Sequence, residues 1–234
     1  MVPSHPMRTL CIDIGGSGLK AIVVDATGQP LADRVRVPTP EDATPDAVLA
    51  AIHGLIAELP AFDRASIGFP GVVIDGVTRG AHNLDAGWAG FPLTERFAAD
   101  TGKPTRAAND AGIQGLGVIE GRGVELVLTL GTGMGFALFV DGLYVPNIEM
   151  AHHVFRNNKT YEQRVGDHAR SKVGNRRWRR RVVAVITQLA PIFNYRSLYI
   201  GGGNAVHLKP ELLPEGVRLV DNVAGLLGGI KLWR

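Results

Sequence analysis

Apolar residues along this chain recur with two different periods, and the switches between them mark the elements. Short apolar runs predict strands over residues 8–14 and 20–25, with a third at Val35–Val37 that stops at Pro38. Residues 45–59 instead space Val48, Leu49, Ile52, Leu55, Ile56 and Leu59 at helical intervals, which predicts an amphipathic helix. Ala65–Phe69 reads as a short buried strand stopped by Pro70-Gly71. A glycine-rich mixed stretch follows to Trp88, and 92–101 reads as helix. Thr105–Ala108 is a short strand running into Asn109-Asp110, with a helix expected over 111–120. The second half opens with a hairpin over 125–141, then helices over 160–169 and 175–190. A strand at Leu198–Ile200 and a small-residue helix over 221–230 complete the pattern. The 175–190 helix would bury Trp178, Val182, Val185, Ile186 and Leu189 and leave its arginines facing outward. Alternating hairpins and helices predict an α/β architecture with a boundary near residues 105–110.

Within that pattern one unit occurs twice. Residues 14–25 (IGGSGLKAIVVD) and 130–141 (LGTGMGFALFVD) align without a gap at an offset of 116, pairing Ile14 with Leu130, Gly15 with Gly131, Ala21 with Ala137 and Asp25 with Asp141. Each copy is an apolar strand, a tight Gly/Ser/Thr turn and a second β-rich strand. Such a turn exposes backbone N–H groups suited to phosphate oxygens. One turn in each half suggests two lobes that grip a phosphate chain; two unrelated hairpins are the plain alternative.

Composition narrows the class. The chain has 234 residues, 45% hydrophobic and 20% charged, the profile of a globular protein with a large core. No apolar run approaches a membrane span, and Met1–Pro6 carries no signal-peptide pattern, so a cytoplasmic location is expected. The single cysteine, Cys11, lies in an apolar strand and excludes an internal disulfide or a multi-cysteine zinc site. The net charge of +3 is unevenly placed. Residues 170–181 hold seven cations and no acid, leaving 18 cations against 22 acids elsewhere, so an anionic partner is expected there.

Several residues carry candidate chemistry. Asp13 ends the first strand just before the Gly15-Gly16-Ser17-Gly18 turn, where a carboxylate can hold Mg²⁺ through water; an ordinary turn-initiating Asp fits as well. Lys20, two residues past the turn, is placed either to reach phosphate or to face solvent. Asn109-Asp110 follows a strand and precedes a helix, which suits a base that accepts a hydroxyl proton and equally suits a helix cap. Glu149 and His152, three residues apart, can together bind adjacent hydroxyls of a sugar. His153 has no assigned role.

Taken in order, DIGGSGLK (13–20), GFPGVV (68–73), NLDAGW (83–88), ANDA (108–111), LGTGMG (130–135), EMAHH (149–153) and IGGGN (200–204) resemble the ROK family of sugar kinases, within the actin-like ATPase superfamily. The polyphosphate glucokinase branch is the most similar. The resemblance spans most of the chain and implies a two-lobed actin-like ATPase (ribonuclease H-like) fold with a cleft between the lobes. It divides the chain into an N-terminal lobe over 1–108 and a C-terminal lobe over 109–234, the last helix packing back on the first lobe. It implies that Asp110 is the catalytic base acting on the sugar 6-hydroxyl. Asn109, Glu149 and His152 hold sugar hydroxyls, and Gly71 and Asn83 line the sugar pocket. Asp13, with Gly15, Gly16, Ser17, Gly18 and Lys20, forms the first phosphate site. Gly131, Thr132, Gly133 and Gly135 form the second, and Gly201, Gly202 and Gly203 lie near the donor.

The departures also inform. Many ROK members carry a cysteine-rich zinc motif ending in a sugar-binding Glu; one Cys cannot supply it, so no zinc is expected, a feature shared with the polyphosphate branch. Glu162 falls where that Glu would stand and is a candidate sugar contact, and Ala151 replaces a glycine of the E-x-G-H segment. The Lys/Arg-rich stretch resembles one in the same branch, implying that Arg176, Arg177 and Arg180 hold polyphosphate; a solvated helix face or a nucleic-acid patch are the alternatives. The expected function is phosphoryl transfer from polyphosphate, with ATP a second donor, to glucose, with Mg²⁺ as cofactor and a homodimer as assembly. Neither membrane nor nucleic acid is the expected partner. The alternatives are an ATP-dependent hexokinase of broader sugar range and a non-catalytic sugar-binding protein.

Overall fold

The computed structural model describes residues 6–81, 84–220 and 227–233. The chain forms two compact units: one from the described residues of Met1–Gly117 and Gly225–Arg234, the other from those of Val118–Ala224.

In the first unit, β1 (Thr9–Ile14) and β2 (Leu19–Val24) form an antiparallel hairpin that β3 (Val35–Val37) extends. Helix α1 (Pro45–Ile56) leads to β4 (Arg64–Phe69), parallel to β1. A small hairpin, β5 (Val73–Ile74) with β6 (Val77–Thr78), and helix α2 (Leu93–Thr101) precede β7 (Thr105–Asn109), which is parallel to β4 and runs into α3 (Asp110–Val118). The sheet order is β3-β2-β1-β4-β7. Strand alternation puts Leu10, Ile12 and Ile14 with Leu19, Ala21 and Val23 on one face. There they meet Val48, Leu49 and Ile52 of α1 and Leu93 and Phe97 of α2 in one core. Each such aliphatic side chain contributes about 1.5–3 kcal/mol on full burial. Helix α1 starts where Thr44 accepts the N–H of Ala47 at 3.3 Å, with Pro45 in the first turn. Trp88 closes the core, its indole N–H donating to the Ala43 carbonyl at 2.9 Å.

The opposite face of this sheet carries Cys11, Ile22 and Val24, covered by Ile230. Burial pushes the Cys11 thiol up to about 12, so it is a packing residue and not a nucleophile. The covering segment is a 3₁₀ turn, Gly228–Trp233, which takes the last three positions of the helix expected over 221–230; residues 221–226 of that expectation lie outside the described residues, and Leu227 is helical. Gly228 lies against the Ile113 carbonyl and 2.7 Å, measured from where a Cβ would stand, from the Gly117 nitrogen. Paired glycines are poor helix formers but allow this approach of two backbones. The contact also shows why α3 stays with the first unit, so that the division falls after Gly117, later than the 108/109 division read from the sequence.

The second unit repeats the plan. Strands β8 (Val124–Leu130), β9 (Met134–Val140) and β10 (Leu143–Val145) form a meander, followed by the ribbon β11 (Val154–Arg156) and β12 (Lys159–Thr160). Helices α4 (Tyr161–Val165) and α5 (Asp167–Phe193) lead to β13 (Ser197–Gly201), and β14 (Val217–Leu219) completes the order β10-β9-β8-β13-β14. Position for position this is the order and strand direction of the first sheet. The helix expected over 160–169 is broken at Gly166, whose extended backbone (ψ 169°) separates α4 from α5. The expected start at 175 follows a kink at Gly174, where φ is 74°. Trp178, Val182, Val185, Ile186 and Leu189 are all buried against Leu126, Leu128 and Leu198, so Trp178 is a core anchor. Among the described residues no helix is long and apolar enough to cross a membrane.

The two hairpins match in sequence but not in pairing. In the first, Ile14 pairs with Leu19 across a four-residue turn; in the second, Leu130 pairs with Met134 across a three-residue turn. A slip of one residue sends every following side chain to the other face. The first strands therefore stay in phase, with Leu10, Ile12 and Ile14 answering to Leu126, Leu128 and Leu130. The second strands do not: Ala21 faces its main core, whereas that of the second unit takes Met134 and Phe136 in place of Ala137.

Candidate active site

Three parallel strands of the first unit deliver their carboxyl ends side by side. In register, Asp13 of β1 lies beside Gly68 of β4, Gly68 beside Ala108 of β7, and Phe69 beside Asn109. A Cβ on Gly68 would stand 3.7 Å from Asp13 Oδ1 and 3.6 Å from the Asp110 Cα, so the two acids flank a small gap over Gly68. Parallel-sheet sites form at strand carboxyl ends of this kind. Asp13 Oδ2 accepts from Lys20 Nζ at 2.7 Å, and Asp13 is the more buried partner. Lys20 is thus engaged by the carboxylate that precedes the turn.

Asn109 is held at both ends. Its Oδ1 accepts the Ala111 N–H at 2.9 Å and its Nδ2 donates to the Gly71 carbonyl at 3.2 Å, joining two predicted sugar-pocket residues. Asp110 opens α3, and its Oδ1 also accepts the Ala111 N–H, at 2.7 Å. The helix-cap reading of this dipeptide is thus seen directly, and it leaves the carboxyl group at the positive end of α3, compatible with the functional reading. Asn83 lies outside the described residues. The turn itself closes through Gly15 N–H to the Gly18 carbonyl at 3.2 Å and leaves Gly16 and Ser17 exposed.

In the second unit the corresponding turn closes through Gly131 N–H to the Gly133 carbonyl at 3.1 Å, and Gly135 lies in β9. Its outer side is anchored by Asn204, which ends the IGGGN motif without an assigned role there, and by Asp167, which no motif includes. The Gly131 carbonyl accepts from Asn204 Nδ2 and from the Asp167 N–H, both at 3.0 Å, and the Asp167 N–H also reaches the Thr132 carbonyl at 3.2 Å. These contacts bring Gly131–Gly133 together with the Gly201–Gly203 loop. The Arg170 hydrogen bond at 2.8 Å, joined by the Asn204 amide, holds the Asp167 carboxyl below its ordinary value. A polar residue directly after three glycines was the one signal that could have pointed to Asn204.

Glu162 stands on this turn: its Oε2 accepts the Met134 N–H at 3.3 Å and covers Gly133. Glu149 and His152 bracket a 3₁₀ turn, and their side chains pair at 3.4 Å with each more than a third exposed. Ala151 between them is buried in the core, so a methyl is accommodated where relatives of the motif have glycine. On α5 the arginines divide. Arg176 and Arg180, with Arg179, Val183 and Leu212, line a groove of about 420 Å³. Arg177 faces Arg181 instead, whose affinity for its proton is lowered by burial and by the charges of Arg164 and Arg177.

The sequence pattern of the ROK family matches residues 9–146. The polyphosphate glucokinase of Mycobacterium tuberculosis is 31% identical over 234 residues, covering 93% of this chain and 88% of that one. A crystal structure of an inorganic polyphosphate/ATP-glucomannokinase from Arthrobacter sp. strain KM superposes with a TM-score of 0.87 at 30% identity, covering 97% of this chain and 100% of that one. A ROK family glucokinase from Streptomyces griseus, crystallised with glucose and AMPPNP, shares the fold with a TM-score of 0.80 at 21% identity, covering 96% of this chain and 98% of that one.

Proposed function

Since the chain belongs to the ROK family, we propose that it transfers a phosphoryl group from polyphosphate, or from ATP, to the 6-hydroxyl of glucose. The observation that carries this reading is the alignment of Asp13, Gly68 and Asn109-Asp110 at three adjacent strand ends beside a glycine turn. Together they offer a carboxylate base, a carboxylate near the transferring group, and backbone donors for phosphate.

In this reading Asp110 accepts the hydroxyl proton as oxygen attacks phosphorus. Asn109 orients the pocket wall through Gly71, and Glu149 and His152 hold sugar hydroxyls through their paired carboxylate and imidazole. The turns at 15–18 and 131–133 cradle donor phosphates through main-chain N–H groups. Mg²⁺ suits the oxygen donor that Asp13 presents: Oδ2 is engaged by Lys20, and Oδ1 faces the gap at Gly68. One carboxylate with water and phosphate is an ordinary Mg²⁺ environment, and the ion would neutralise charge on the transferring group. Arg176 and Arg180 in the groove, with Arg177 beside Arg181 on the same helix, extend the basic surface to a polyanionic donor, and a cytoplasmic homodimer is the proposed setting.

The test is glucose 6-phosphate formation by purified protein with Mg²⁺, polyphosphate and ATP being supplied at equal phosphoryl concentration and mannose as a second acceptor. Turnover with polyphosphate is expected. Turnover with ATP alone would return the arginines to a solvated helix face, and none with either donor would overturn the reading.

A further inference from the structure

Across the first sheet three charged residues stand in a row: Asp13 on β1 opposite Lys20 on β2, and Lys20 opposite Arg36 on β3. They occupy the face away from the aliphatic core, because Ile12, Ala21 and Val35 alternate to the other side. Like charges directly opposite one another repel. Asp13 neutralises one of the two cations, Lys20, at 2.7 Å. Arg36 has no ion pair with an acid among the described residues, and it is exposed.

Its guanidinium nevertheless has a defined place. A Cβ built on Gly18 would stand 2.8 Å from Arg36 Nε and 3.0 Å from Nη2, so the side chain lies directly on the phosphate turn. Thr39, three residues further on, donates its hydroxyl to the Gly15 carbonyl. The segment Arg36–Thr39 thus backs the turn from the edge strand, with its one uncompensated charge beside the exposed Gly16 and Ser17.

We infer that Arg36 is a donor-binding residue whose guanidinium takes a phosphate other than the one transferred. The inference rests on the phosphoryl-transfer reading above. Position supports the distinction between phosphates: transfer is assigned to the Asp13–Asp110 gap beside Gly68, whereas the Arg36 guanidinium is seated on Gly18, at the far end of the turn. A group seated on the turn, outside the gap where transfer is assigned, acts on donor affinity and leaves the chemical step alone. Guanidinium suits the task, since it stays charged and offers two parallel donors to a phosphate.

The experiment compares Arg36→Gln, Arg36→Lys and Arg34→Gln with wild type. Arg34→Gln removes the same charge two residues earlier. Arg36→Gln is expected to raise the donor KM about tenfold to a hundredfold, the loss of one charge-assisted contact. Its kcat and glucose KM should stay within about twofold. Arg36→Lys should recover part of the loss, and Arg34→Gln should match wild type. Equal effects at positions 34 and 36, or no effect at either, would overturn the inference. So would a fall in kcat with a lowered melting temperature, which marks a merely structural prop. Thermal stabilisation by tripolyphosphate, read without turnover, separates the two levels. If wild type is stabilised and Arg36→Gln is not, Arg36 binds phosphate even where the glucokinase reading fails; equal stabilisation of both proteins sinks the Arg36 assignment alone.

Discussion

Replacing Gly202 by Ala tests whether the loop after β13 holds the second glycine turn. Strand β13 leaves its register with β8 immediately after the Gly201–Thr129 pair, and Gly202 then crosses the Leu130 backbone at φ 91° and ψ 163°. That region is open essentially to glycine, and a side chain there costs about 1–3 kcal/mol. The added methyl would also stand 2.5 Å from the Leu130 nitrogen and 2.7 Å from its carbonyl carbon. Neither atom can easily retreat, because Leu130 is paired with Met134 of β9 and the residue before it, Thr129, is held between β9 and β13. Strain and overlap together give about 3 kcal/mol or more, a fall of about 6–12 °C in melting temperature for a chain of this size. Leu130 is followed by Gly131, so the displacement should reach the turn and raise the donor KM as well. Gly203→Ala is the internal control, since a Cβ there meets nothing within 4 Å. Scanning calorimetry with donor kinetics on both variants decides the matter. Indistinguishable melting temperatures for the two would refute the argument from φ and backbone overlap.

Three further substitutions probe the site. Asp110→Asn should lower kcat by about three orders of magnitude or more while glucose binding, followed by calorimetry, is largely kept; near-wild-type turnover would remove the base assignment. Glu162→Gln keeps an acceptor for the Met134 N–H but deletes a negative charge on the phosphate turn, so the donor KM should fall about threefold to tenfold in low salt. A rise in the glucose KM instead would assign Glu162 to the sugar. Because the Asp167 carboxyl is held low in the folded protein, its stabilising contribution is present above the unfolded pKa near 4 and is lost as pH falls through the lower folded value. Melting temperatures of Asp167→Asn should therefore drop less than those of wild type as pH falls below about 4, and parallel acid limbs would exclude the linkage.

Much of this protein was decided locally and was legible in the order of its residues. Alternation at Leu10, Ile12 and Ile14, and helical spacing from Val48 to Leu55, specify elements through side-chain direction alone, and the structure has them there. The glycine turns, the Asn109-Asp110 cap and the Glu149–His152 pair could be read as local features because they are made by neighbours in sequence; their roles are those proposed above. Interactions between distant segments were not legible. Asn204 reaches the turn from 73 positions away, Asp167 approaches it through its main-chain N–H, and Arg36 meets Gly18 only because β3 pairs with β2. The repeat shows the divide most sharply. An ungapped offset equates Ala21 with Ala137, yet a turn one residue shorter turns them to different faces. Sequence determines which residues alternate; pairing across a turn decides which of them look into the core, because a strand has two faces and a single step exchanges them.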